Sequence, residues 1–248
     1  MKMFAALVLA ALIIGEAGPG CALVDPPGAL IAAQRIDNKG VQAAPVLAAD
    51  KGRFRIVLDG QQVGSEDFEI AAAGKDWVAR GTTSLHPSAS APSEVRATLR
   101  LAADGSPLSY EWSSKAQKKA SATIEFKDGA ARISLNFEGA TSPFQQTLTF
   151  PSPRIAVLDN NLYHQYAILA RLYDWNTRGE QSLPVLIPQD LTPGQIKLEA
   201  AGPQQVDGAT LELLRVRTED LEVQLYLDSS HRLMRLAAPA SKVVVTRE

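Results

Sequence analysis

LDNNLYHQYAILARLYDW, residues 158–175, is the one strongly helical, aromatic-rich stretch in a chain that otherwise reads as strands. It carries Tyr163, Tyr166, Tyr173 and Trp175, which gathers most of the tyrosine into one place. Leu162, Tyr166, Leu169 and Tyr173 recur at helical spacing, and Ile168 and Leu172 widen the stripe. Asp159 or Asn160 is placed to cap the start by accepting from free backbone N–H groups. Gly179 and Pro184 mark the return to extended chain. The spacing predicts a helix over about 158–175.

On both sides of this segment the period is two. Val95, Ala97, Leu99 and Leu101 alternate with Glu94, Arg96, Thr98 and Arg100. Ile133, Leu135 and Phe137 alternate with Arg132, Ser134 and Asn136, and Leu221, Val223, Leu225 and Leu227 with Glu222, Gln224 and Tyr226. Such alternation builds strands with one dry and one wet face. Asp59-Gly60, Asp104-Gly105, Asp128-Gly129 and Asp207-Gly208 punctuate the runs, and Asp-Gly favours tight hairpins. The pattern predicts an antiparallel meander of roughly a dozen strands. Their starts fall near Phe54, Phe68, Trp77, Val95, Leu108, Ala122, Ile133 and Phe144. After the helix they fall near Val185, Ile196, Leu211, Leu221, Leu233 and Val243.

Twelve strands spaced about 4.8 Å apart make a flat sheet about 58 Å wide. A helix only about 10–12 Å across cannot cover it. The expected fold is therefore mainly β: a large antiparallel meander curled into a half-barrel or open barrel, with one capping α-helix at or inside its mouth.

Composition bounds the partners. Hydrophobic content of 46% and charge of 21% are ordinary for a folded domain, and a net charge of -2 gives no long-range attraction for nucleic acid. Lys115, Lys118 and Lys119 lie between strands and read as a solvated turn. MKMFAALVLAALII, residues 1–14, followed by small residues, has the layout of a secretory signal, with cleavage after Ala17 or Ala22. The single cysteine, Cys21, follows Gly20 and offers lipid anchoring as an alternative, although Gly18 and Pro19 depart from the lipoprotein pattern. The expected organisation is a signal peptide over 1–22, an Ala/Pro-rich linker over 23–50 and a single curved-sheet domain over 51–248. No later stretch reaches membrane-spanning length, so the expected mature chain has no transmembrane segment and is periplasmic or secreted.

The search for catalytic chemistry returns little. His86, His164 and His231 form no H-E-x-x-H motif, and there is no nucleophile elbow, phosphate loop or dinucleotide fingerprint. Asp159-Asn160-Asn161 lacks the glycine and distal glutamate of a calcium loop and is better read as capping. His164 reads as a boundary histidine with one ordinary hydrogen bond, and His86 and His231 as loop residues. Glu66, Asp67 and Glu69 cluster at a strand start and read as a wet surface. No catalytic residue, metal ligand or cofactor is assigned. The aromatic set remains: Tyr163, Tyr166, Tyr173 and Trp175 with Trp112, Tyr110 and Trp77. Leu162, Tyr163, Tyr166, Leu169, Tyr173, Trp112 and Trp175 are the candidate lining of an apolar cavity. The competing reading is that they fill the core.

Two passages carry a resemblance. FRIVLDGQQVGSEDFEI, residues 54–70, and LEVQLYLDSSHRLMRLAAPASKVVVTRE, residues 221–248, resemble the opening hairpin and closing meander of a group of exported bacterial proteins of unknown function. Those proteins are similar in architecture to the half-barrel carriers of lipoprotein-localisation and lipid-transport systems. The resemblance implies a curved sheet that holds acyl chains. It transfers no ligand residue, and this chain shows one clear helix where the carriers have several. Two functions follow as expectations: carriage of a lipid or other hydrophobic small molecule, or a structural module that binds an envelope protein partner.

Overall fold

The computed structural model describes residues 46–86, 91–115, 119–219 and 221–248. The expected signal peptide, most of the linker and Cys21 lie outside the described residues. Leu47, within the expected linker, is buried against the core, and the first strand starts at Asp50.

Among the described residues fifteen strands form one sheet. In chain order they are β1 (Asp50–Leu58), β2 (Gln61–Ala73), β3 (Asp76–Leu85), β4 (Ser93–Leu101), β5 (Pro107–Lys115), β6 (Lys119–Lys127), β7 (Ala130–Phe137) and β8 (Phe144–Thr149). A two-residue β9 (Ala156–Val157) precedes the helix α1 (His164–Leu172). There follow β10 (Glu180–Ile187), β11 (Thr192–Val206), β12 (Ala209–Arg217), β13 (Glu222–Leu227), β14 (Leu233–Ala238) and β15 (Val243–Arg247). Every strand expected from Phe54 onward is present, and β9 is one that periodicity misses because two residues show no period.

The sheet order runs from β8 down to β1, then from β15 down to β9. Neighbours in sequence pair as antiparallel hairpins, β1 pairs β15, and β9 pairs β10 in parallel across the helical crossover. Topology alone forces the curl. β8 and β9 lie at opposite ends of the sheet, yet the chain from Thr149 to Ala156 spans at most about 25 Å. A flat sheet of fourteen such spacings would separate them by about 67 Å. The two ends must therefore approach, which makes an open, barrel-like sheet with a concave inner face.

Turn chemistry follows the sequence with one exception. Asp59-Gly60, Asp128-Gly129 and Asp207-Gly208 have positive φ at both residues, the conformation of a type I′ hairpin. At Asp104-Gly105 only the glycine does, and Ser106 N–H donates to Asp104 Oδ1 at 2.9 Å.

The helix lies inside the sheet, one of the two positions expected, but differs from expectation in length. It covers 164–172, not 158–175, and every residue in it except Arg171 is buried. A helix buried all round belongs inside a core and not on its surface. The inner face makes room with small residues: Gly81, Ala79, Ala97, Ala122 and Ala131 all face inward and are buried. Gly81 lies directly under the helix start, where a Cβ would crowd the His164 ring and come within 2.7 Å of Glu66 Oε1.

Gly81→Ala should therefore cost about 1–3 kcal/mol through overpacking. Urea denaturation against the parent protein measures this, and unchanged stability would mean that the helix does not press on β3.

Candidate functional site

Two features stand out: a buried polar network that seats the helix, and an uncovered part of the concave face. The network starts with Glu66. On β2 it shares a face with Phe68 and Ile70, so strand parity drives a carboxylate into the core, where it is 0% exposed. Its Oε2 accepts from the backbone N–H of Tyr163 at 2.8 Å and of His164 at 3.1 Å. Its Oε1 lies 2.5 Å from His164 Nδ1. The first N–H groups of a helix lack internal partners, and a carboxylate there also meets the positive end of the helix dipole. Glu66, a strand residue 98 positions away, thus does the capping expected of Asp159 or Asn160. The expectation of a wet Glu66 and of a boundary His164 is corrected: both are fully buried.

Asp159 works elsewhere in the network. Its Oδ2 accepts from Tyr110 O–H at 2.6 Å, and its Oδ1 accepts from the N–H of Asn160 and of Gln189, each at 3.0 Å. Gln165 joins it by donating to Tyr110 Oη and accepting from Asp159 N–H. Thr83, also buried, donates to Asn161 O at 2.6 Å. Burial pushes the Asp159 carboxyl up to about 6, although the Tyr110 hydroxyl and the Gln189 and Asn160 N–H groups pull the other way. Burial likewise raises the Tyr110 phenol, and the Asp159 charge adds to it.

A carboxylate that orients an imidazole is also a feature of acid–base sites. Here neither side chain has any exposure, so the pair acts as a clamp between β2 and α1. His164 Nε2 is buried with no partner among the described residues. At the other helix end Arg154 donates to Leu172 O at 2.8 Å, placing a cation where the dipole is negative.

Of the candidate lining residues, Leu162, Tyr163, Tyr166, Leu169, Tyr173 and Trp112 are buried within one continuous core cluster. Burial raises the phenol pKa of both Tyr163 and Tyr166. Tyr173 O–H donates to Gly179 O at 2.7 Å. Trp175 is half-buried, bonds Ala170 O through Nε1, and stacks on His231 with ring centroids 4.0 Å apart. His231 is thus a packed residue rather than a free loop histidine, whereas His86 is exposed.

The concave face itself holds the feature that the sequence did not flag. Strand register places Glu66, Thr83, Val95, Ser114, Ala120 and Phe137 in one inward row across β2 to β7. Burial fades along it: the first three are buried, Ser114 and Ala120 are partly exposed, and Phe137 is 54% exposed. The next row passes through Phe68, Gly81, Ala97, Trp112, Ala122 and Leu135 to Phe144, which is 49% exposed. Phe137 and Phe144 are two of only three large apolar side chains exposed among the described residues. In the same row, three strands in from Phe144, Trp112 Nε1–H is buried without an acceptor among the described residues. The rim is apolar, and its rows run back into the core. By contrast, three troughs of about 410, 260 and 420 Å³ on the opposite face of β4 to β8 are lined mainly by Arg, Glu, Ser, Thr and Gln.

No protein-family model and no curated protein matches the chain. Among solved structures, it is similar to the crystal structure of a beta-barrel-like protein of Domain of Unknown Function DUF1849 from Brucella abortus. The identity is 9%, the TM-score is 0.55, and the match covers 82% of this chain and 95% of that one. The likeness is one of fold: a mainly β, barrel-like sheet. No helix of the described residues is long and apolar enough to cross a membrane.

The raised Asp159 pKa has a definite sign. The native state holds its proton up to about pH 6, whereas the unfolded chain releases it near the ordinary value of 3.8. The stability this group contributes is therefore present at low pH and lost as pH rises from about 4 to 6, by up to ~3 kcal/mol. Urea unfolding across this range should show the advantage of the parent over Asp159→Asn shrinking as pH rises. A pH-independent difference would contradict the assignment.

Proposed function

We propose that this is an exported, non-catalytic protein that holds a hydrophobic envelope ligand, a lipid or free acyl chain, against the uncovered part of its concave face. The observation that carries this reading is the inward-facing pair Phe137 and Phe144, half exposed where the helix no longer covers the sheet. Water on an inward aromatic row is unfavourable, and an apolar chain laid along it would remove that exposure. The Trp112 indole N–H, buried without an acceptor among the described residues, suits an ester or carboxylate oxygen at the end of such a chain. Export through the leader at 1–22, with or without acylation at Cys21, belongs to the same proposal.

A second reading, a structural or protein-interaction module of the cell envelope, draws on the packing of the helix aromatics. With Tyr163, Tyr166 and Tyr173 buried in the core, the helix has the character of a permanent filler. The two readings separate at the rim.

Covering half of two phenylalanine side chains contributes about 1.5–3 kcal/mol, or roughly 10- to 100-fold in affinity. The double variant Phe137→Ser with Phe144→Ser should weaken binding of a fluorescent fatty acid by that factor and, through the halves already buried, cost about 1.5–3 kcal/mol of stability. Tyr166→Ala should instead destabilise by about 3–5 kcal/mol. Native mass spectrometry of protein taken from its own envelope should show a bound lipid. Apo protein there, with no fatty-acid binding in solution, would favour the interaction module.

A further inference from the structure

We propose that two copies of this chain join edge to edge through β8, continuing the antiparallel sheet across a two-fold axis. β8 ends the sheet and pairs only with β7 among the described residues. The free N–H and C=O groups of such an edge are a template for another strand, and natural edges are usually blunted by charge, proline or a bulge. β8 reads Phe144-Gln145-Gln146-Thr147-Leu148-Thr149 and has no charge and no proline, and its register with β7 is unbroken. The neighbouring strands are charged: β7 carries Arg132, and β6 carries Lys119, Glu125 and Lys127. A neutral edge meets no like-charge repulsion from its own copy.

The register follows from the faces. Phe144, Gln146 and Leu148 lie opposite Leu135, Ile133 and Ala131, so they point to the concave side. Directly opposed residues in an antiparallel pair share a face, so the two-fold must pass through a residue and not between two. Centred on Gln146, it sets Phe144 opposite the partner subunit's Leu148, and Gln145 opposite the partner subunit's Thr147. Centred on Gln145, it sets Phe144 opposite a glutamine; centred on Thr147, it sets Phe144 opposite the partner subunit's Phe150, which lies past the end of β8 and already packs against its own core. The Gln146 register therefore covers the half-exposed Phe144 and extends the concave face into the second copy. The pairing stands on the strand edge and needs no ligand. If the carrier reading also holds, each copy supplies a Leu148 to the other's rim.

The single cysteine makes the test clean. In a Cys21→Ser background, Gln146→Cys places one thiol on the axis, opposite its own copy. Oxidation should give a covalent dimer, whereas Gln145→Cys, off the axis, should not. Light scattering on the parent protein should read twice the chain mass at micromolar concentration. The double variant Gln145→Lys with Thr147→Lys sets lysines against lysines and should read one chain mass with an unchanged far-ultraviolet spectrum. A parent protein of single-chain mass at every concentration, with no covalent dimer from Gln146→Cys, overturns the pairing. Fatty-acid binding by that same monomer would leave the carrier reading standing.

Discussion

The Glu66 carboxylate at the start of α1 is the contact on which the interior arrangement depends. A helix placed inside an apolar concavity brings unpaired N–H groups where no water reaches them. Glu66 meets two of these and the His164 ring at once, so it fixes the depth of the helix and its rotation about its own axis. Arg154 ties the other end to Leu172 O. With both ends held by residues outside the helix, the covered area of the sheet is also fixed. The rim around Phe137 and Phe144 is what remains uncovered.

Much of the fold was legible because period two is a strong local signal. Alternation plus Asp-Gly turns located the strands, and strand count against helix width pointed to a curled sheet. The helix ends were less legible. Asp159 and Asn160 have the right chemistry for a cap, but the carboxylate that caps came from a distant strand, which no local pattern encodes. Parity did contain a clue. Glu66 alternates with Asp67 in step with Phe68 and Ile70, and Thr83 in step with Ala79 and Gly81. A carboxylate on the apolar parity of a strand signals a buried partner more strongly than a cluster of acids signals a wet surface.

The candidate site was harder to see for a different reason. Alternation tells which face Phe137 and Phe144 occupy, but not whether anything lies over that face. Coverage depends on where the helix stops, and its nine residues reach less of the sheet than the eighteen expected. The aromatics of 158–175 drew attention as a lining. Their hydrogen bonds and burial place them with the core, and the exposed aromatics sit several strands away.

The β1 to β15 pairing has a consequence for how the molecule is made. Almost every other strand contact joins sequence neighbours, so each half of the sheet grows hairpin by hairpin with little loop-closure cost. The seam between them joins residues about 190 positions apart, through Phe54 with Arg247 and the Asp50–Arg247 ion pair. Two arms can thus mature separately, while the union that makes them one body waits for the last strand to emerge. Until then β1 presents a bare edge in the middle of the future sheet, and the nascent chain is most open to mispairing where the finished protein is most continuous.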